Sequence, residues 1–209
     1  MISEMFAHGF IQRAFIGGVL VSLCAAFLGV SLVLKRYSMI GDGLSHVSFG
    51  ALSIAIALGF APIKFSIPIV IIAAFFLLRL AENGKMKSDA AIAMVSASSL
   101  AIGVIVTSLT TGLSTDVCSY MFGSILAMSK DDVIFSVVLS VVVLIMFGFC
   151  YHRIFAVTFD ESFSKATGVK VGMYNTLISI FTAVTVVLGI KMMGAMLISS
   201  LIIFPALTS

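Results

Sequence analysis

Asp42 and His46 are the two side chains in this sequence whose types and spacing most directly suggest chemistry. Four residues apart on a helix they face the same way, about 6 Å apart, so a carboxylate oxygen and an imidazole nitrogen can reach one cation. That pair suits a first-row divalent ion such as zinc, manganese or iron, and does not choose sharply among them. Two ligands fall short of a closed site, so water or another segment must complete the shell. Such a shortfall fits a transient stop on a pathway. The same spacing also fits Asp42 as the cap of the following helix, with His46 bonded to a neighbouring carbonyl.

The second chemical feature is the polar stretch from His152 to Gly172. Thr158-Phe159-Asp160-Glu161 fits a capping box, with Thr158 as N-cap, Glu161 at the third helical position and Gly168 as the stop. Phe159, Phe163 and Ala166 then share one face of a short amphipathic helix over 159–167. Such a helix lies on a membrane or enters a groove in a partner, and a passive loop fits the same residues. Enzyme chemistry has little to build on. Gly84-Lys85 is followed by Met86, so there is no phosphate-binding loop for ATP. His8, His46 and His152 are the only histidines, and no Ser/His/Asp or zinc-protease pattern includes them. Cys24, Cys118 and Cys150 are far apart in apolar runs and read as buried packing residues.

The elements that position these residues belong to a membrane. Of 209 residues, 61% are hydrophobic and 10% charged, and the mean hydropathy is +1.24. A soluble domain carries about 25% charge, so the apolar surface must face lipid or other helices. The net charge of +3 would point to nucleic acid only if the basic residues clustered on a polar domain, and none does. Uncharged runs recur at Ala14–Leu34, Gly43–Ile63, Phe65–Leu78, Ala90–Thr115, Val133–Tyr151, Val171–Ile190 and Met192–Ser209. They predict an all-α polytopic bundle of about seven spans. The piece from Val117 to Met128 is too short to cross and reads as re-entrant or interfacial. If the loops alternate, Lys35, Arg36, Arg79, Lys85, Lys87, Arg153, Lys165 and Lys170 share one side, against Arg13, Lys64, Lys130 and Lys191. The richer set is expected to be cytoplasmic. Gly18, Ser22 and Ala26, with Ala25 and Gly29 beside them, predict close helix packing. Pro62 reads as a loop entry, Pro68 as a first-turn residue or kink, and Pro205 as a break in the last helix.

Four segments together resemble one family. Lys35 to His46 (KRYSMIGDGLSH) is similar to the signature of the membrane permeases of bacterial zinc and manganese ABC importers. The likeness continues through Asp116–Ala127 (DVCSYMFGSILA), Thr158–Val169 (TFDESFSKATGV) and Gly194–Thr208 (GAMLISSLIIFPALT), in order and over nearly the whole chain. The resemblance implies one transmembrane permease domain over 1–209, C-terminally incomplete, because family members continue for 50 residues or more. It implies a bacterial inner-membrane, multi-pass permease that dimerises, docks on cytoplasmic ATPase subunits and is fed by an extracytoplasmic metal-binding protein. Asp42 and His46 then correspond to the transport-site ligands of the GD-x-x-SH motif. Phe159, Asp160, Glu161, Phe163, Ala166 and Gly168 fall in the coupling segment, 152–172, that contacts the ATPase. No permanently bound cofactor is expected; zinc, manganese or iron is cargo. Where members often read HAVLPG, this chain has His46-Val47-Ser48-Phe49-Gly50-Ala51, without the proline.

The resulting expectation is ATP-driven import by alternating access. Metal is held briefly by Asp42 and His46 and released inward when the ATPases move the 159–167 helix. Two rivals use the same residues differently. An ATP-independent secondary cation carrier would relay protons through the pair, and would transport without an ATPase. A non-transporting membrane subunit would bind partners through 152–172 and move no metal with every partner supplied.

Overall fold

The computed structural model describes residues 9–35, 37, 39–82, 88–110, 123 and 129–208. These form eight helices: α1 (Gly9–Leu34), α2 (Ile40–Ala57), α3 (Pro62–Glu82), α4 (Ser88–Leu109), α5 (Lys130–Phe159), α6 (Glu161–Ala166), α7 (Val171–Met193) and α8 (Ala195–Thr208). Helices α1, α2, α4, α5 and α7 are long and apolar enough to cross a bilayer. Helix α3 and the 14-residue α8 contain shorter apolar pieces. The expected Val117–Met128 element lies outside the described residues, apart from Gly123.

Helices α2 and α7 are the most enclosed spans, 72% buried in each case, whereas α4 is 17% and α5 28% buried. Helix α7 packs against α1, α2, α3, α5 and α8, and α2 packs against α3, α4, α7 and α8. A helix that is apolar on all sides belongs in the middle of such a bundle. Ala183, Val186, Val187, Leu188 and Ile190 of α7 are accordingly at most 1% exposed.

Helix boundaries depart from the apolar runs wherever hydrogen bonding continues past a charge. The run Val133–Tyr151 is the middle of a 30-residue helix. It starts at Ser129, whose hydroxyl accepts from the Asp132 amide at 3.2 Å, and continues through His152 and Arg153. The second run starts earlier than expected, at Ile40, and Ile63 belongs to the next helix. Pro62 opens α3 at its first position, where a missing N–H costs nothing; Pro68 is therefore interior. Pro205 does not break α8, which runs on to Thr208; so near the end the ring removes only one hydrogen bond. The break falls instead at Gly194, in the left-handed region at φ 87°, which ends α7 and turns the chain into α8.

The small residues of α1 divide their roles. Gly18, Ser22 and Ala26 line an open groove of 680 Å³ with Leu201 and Pro205, so that row is not the tight seam. Close packing falls on Ala25, fully buried, and on Gly29, where a Cβ would overlap the Ile202 carbonyl of α8. Cys24 is buried as expected, but Cys150 is only half-buried; Cys118 lies outside the described residues.

Candidate metal site

Asp42 and His46 lie on the first two turns of α2. The cap of that helix is Met39, whose side chain makes no capping bond, so Asp42 sits three positions inside and is not the cap. Gly41 and Gly43 flank it. Gly41 faces Ile202 of α8, and a Cβ on Gly43 would meet the Ile92 Cγ2 methyl of α4 at 2.6 Å. The lack of a side chain at 43 lets α2 lie flush on α4.

The His46 Nε2 and Asp42 Oδ2 atoms are 3.8 Å apart. Two donors each about 2.1 Å from a tetrahedral first-row ion stand about 3.4 Å apart, so a small side-chain adjustment lets both hold one ion. Their side chains are 28% and 48% exposed. Both line a cavity of 220 Å³ with Phe49, Leu100, Ala195 and Met196. The wall is thus built from α2, α4 and the start of α8. Among the described residues no group of three or more His, Cys, Asp or Glu side chains could hold a metal. An ion here would complete its shell with water or with other donors. Gly123 lies so close to the Met193–Gly194 backbone that a Cβ would overlap it, which puts this one residue next to the turn carrying Ala195.

The expected coupling residues do not all face one way. Phe159 and Phe163 are 77% and 64% exposed, and Asp160, Ala166 and Gly168 are exposed as well. Thr158 is not the cap: it is the buried penultimate residue of α5. Asp160 caps instead, its Oδ1 accepting from the Phe163 amide at 2.9 Å, which makes Glu161 the first residue of α6. Gly168 has φ 82° and stops α6 as expected. Glu161 turns inward, away from the exposed residues.

Its partners come from two spans. Lys35 donates to Glu161 Oε1 at 2.7 Å and also to Asn175 Oδ1, while Asn175 Nδ2 donates to the same Glu161 oxygen at 3.1 Å. Burial opposes ionisation of Glu161. The hydrogen bonds from Lys35 and Asn175, with the charges of Lys35 and Lys165, outweigh it and hold the carboxyl below the usual carboxylate range. Lys35 reads in the sequence as a basic stop, yet its side chain is 5% exposed. Asn175, 2% exposed, carried a signal that sequence reasoning missed: a lone amide in an apolar run of membrane length. At the other end of α7, Lys191 donates to Asp132 of α5 at 2.6 Å, beside a cavity of 550 Å³ whose walls include Lys64 and Asp131. Lys35 and Asn175 therefore meet at one end of the bundle, and Lys64, Asp132 and Lys191 gather near the other.

Comparison with known proteins gives one consistent picture. The family model described as ABC 3 transport family matches residues 7–209. A "Probable metal transport system membrane protein" of Treponema pallidum is 32% identical, covering 98% of this chain and 77% of its own length. The "High-affinity zinc uptake system membrane protein ZnuB" of Buchnera aphidicola is 32% identical, over 93% of this chain and 74% of that protein. The "Manganese import system permease protein ScaB" of Streptococcus gordonii is 28% identical, over 96% and 72%. Among solved structures, PsaBC from Streptococcus pneumoniae in complex with Fab superposes with a TM-score of 0.85 at 28% identity, over all of this chain and 76% of that one.

Proposed function

The chain belongs to the ABC 3 transport family, and on that basis we propose that it imports divalent metal through the Asp42/His46 cavity. It is the multi-pass membrane permease of a metal-importing ABC transporter, a transport subunit and not an enzyme; ATP is hydrolysed by a separate partner. Zinc and manganese are the cargo indicated by its relatives, and iron fits the same donor chemistry. The observation that carries this reading is a carboxylate and an imidazole 3.8 Å apart on one wall of a half-open cavity.

In this reading the protein sits in the bacterial inner membrane as a homodimer, each copy with about seven spans. The richer set of basic residues, including Lys35 and Lys165, is cytoplasmic. An extracytoplasmic binding protein delivers the ion. The 152–172 segment docks on the ATPase, with Phe159 and Phe163 as apolar contacts beside Asp160, Ala166 and Gly168. Two protein donors and partial exposure suit a site that must release its ion, because tight coordination would trap it. His46 ligates through an unprotonated ring nitrogen. The decisive test is radiometal uptake by the assembled transporter. Asp42→Asn combined with His46→Ala is expected to lower uptake by about 100-fold or more, since losing a group that merely supports a metal ligand already costs about 10–100-fold. Unchanged uptake removes the assignment.

A further inference from the structure

Glu161 is the meeting point of two routes to the walls of the metal cavity. Through Lys35 it reaches the link between α1 and α2. There the Tyr37 amide donates to the Leu32 carbonyl at 2.9 Å, and the Ile40 amide to the Tyr37 carbonyl at 3.0 Å. Asp42 follows within the first turn of α2. Through Asn175 it reaches α7, the most enclosed helix of the bundle together with α2. At its far end α7 turns at Gly194 into Ala195 and Met196, which line the same cavity as the pair.

We propose that Glu161, held by Lys35 and Asn175, is the positioning residue through which displacement of α6 is passed to both the α2 and the α8 walls of the Asp42/His46 cavity. The proposal rests on the import reading for its purpose, but its mechanics stand on geometry. A lysine side chain 5% exposed cannot lose its counter-charge cheaply, since a buried unpaired ion costs several kcal/mol. If α6 moves, Lys35 follows it rather than parting from it. Phe159 and Phe163 remain outward, free for the partner that does the pushing, while Glu161 faces the bundle.

The test uses the full chain assembled with its ATPase, with Cys24, Cys118 and Cys150 replaced by alanine and spin labels placed at Ser162→Cys and Met39→Cys. The distance between the labels is read by electron paramagnetic resonance with and without ATP, and metal ions moved per ATP hydrolysed are counted on the same samples. In the parent the distance distribution is narrow and indifferent to nucleotide. Lys35→Met broadens it, makes it change with ATP and lowers metal moved per ATP by about tenfold, within the span of ordinary coupling energies. Glu161→Gln, which keeps an acceptor for Lys35, falls between the two. The exchange Lys35→Glu with Glu161→Lys narrows the distribution again. A distribution unaffected by Lys35→Met, one that already shifts with ATP in the parent, or an exchange without recovery overturns the proposal. If the labels behave as expected while the parent moves no metal, the import reading fails and the mechanical link stands. If metal is transported while the labels are indifferent to Lys35→Met, the link fails and the import reading stands.

Discussion

Two of the polar clusters in this apolar bundle are built on opposite terms. Asp42 and His46 make one loose contact at 3.8 Å, are 48% and 28% exposed, and have coordination positions to spare. Lys35, Glu161 and Asn175 make three mutual hydrogen bonds around a cation that is nearly sealed from solvent. A closed cluster stabilises because each buried polar group finds its partner. An open pair gains little, because water competes for both side chains. Polar residues in this membrane protein thus sort by what they must let go. On the proposed import reading the pair is arranged for a passing ligand, and the triad ties two helices and a linker together.

That contrast can be attacked at its strongest point first. Glu161→Ala leaves Lys35 buried without its counter-charge and is expected to cost about 2–3 kcal/mol, below the full value for a buried pair because Glu161 is partly exposed. Lys35→Met leaves a half-exposed carboxylate behind and is expected to cost only about 1 kcal/mol. Thermal unfolding in detergent measures both, and equal losses would remove the asymmetry. The same cluster sets a pH dependence. Because the Glu161 carboxyl is held low when folded, its contribution is fully present above the unfolded glutamate pKa of about 4.3. It is lost as the pH falls from there through the lowered folded value, and Glu161→Gln abolishes that slope.

A smaller effect separates the two candidate caps of α6. Asp160→Ala is expected to cost about 1 kcal/mol through the lost bond to the Phe163 amide, whereas Thr158→Ala does not uncap α6. Amide exchange at Phe163 reads the difference, with faster exchange only in the Asp160 variant. Smallest of all is the stability change from Asp42→Asn with His46→Ala, at most about 0.5 kcal/mol for an exposed pair. A melting shift as large as that of Glu161→Ala would make the pair structural, and the contrast would disappear.

The sequence made the helical class, the apolar spans and the Asp42/His46 pair visible, because each depends on neighbours within one or two turns. Periodic apolar runs show where a bilayer is crossed, and i,i+4 spacing shows which side chains share a helix face. Boundaries were harder. His152 and Arg153 look like the end of a span, yet backbone bonding carries α5 to Phe159, since a helix does not need to stop where the lipid does. The capping-box spacing points to Thr158, yet Asp160, with its backbone extended at φ −146°, does the capping. Whether Gly18, Ser22 and Ala26 packed or lined a groove depended on where α8 would lie, which no local pattern encodes. The Lys35 contact was least legible: its partners stand 126 and 140 residues away, and a lysine after an apolar run looks like a topology signal whether or not it is paired.

The distance between Lys35 and Glu161 along the chain also bears on how the protein is made. Lys35 leaves the ribosome 126 residues ahead of its carboxylate, an interval of about 6–25 s at ordinary synthesis rates. During that interval the ammonium must stay in water at the membrane face, since withdrawing it alone is prohibitive. The joint between α1 and α2 is therefore sealed late in biogenesis, once α1 to α5 have been synthesised and α6 supplies the missing anion.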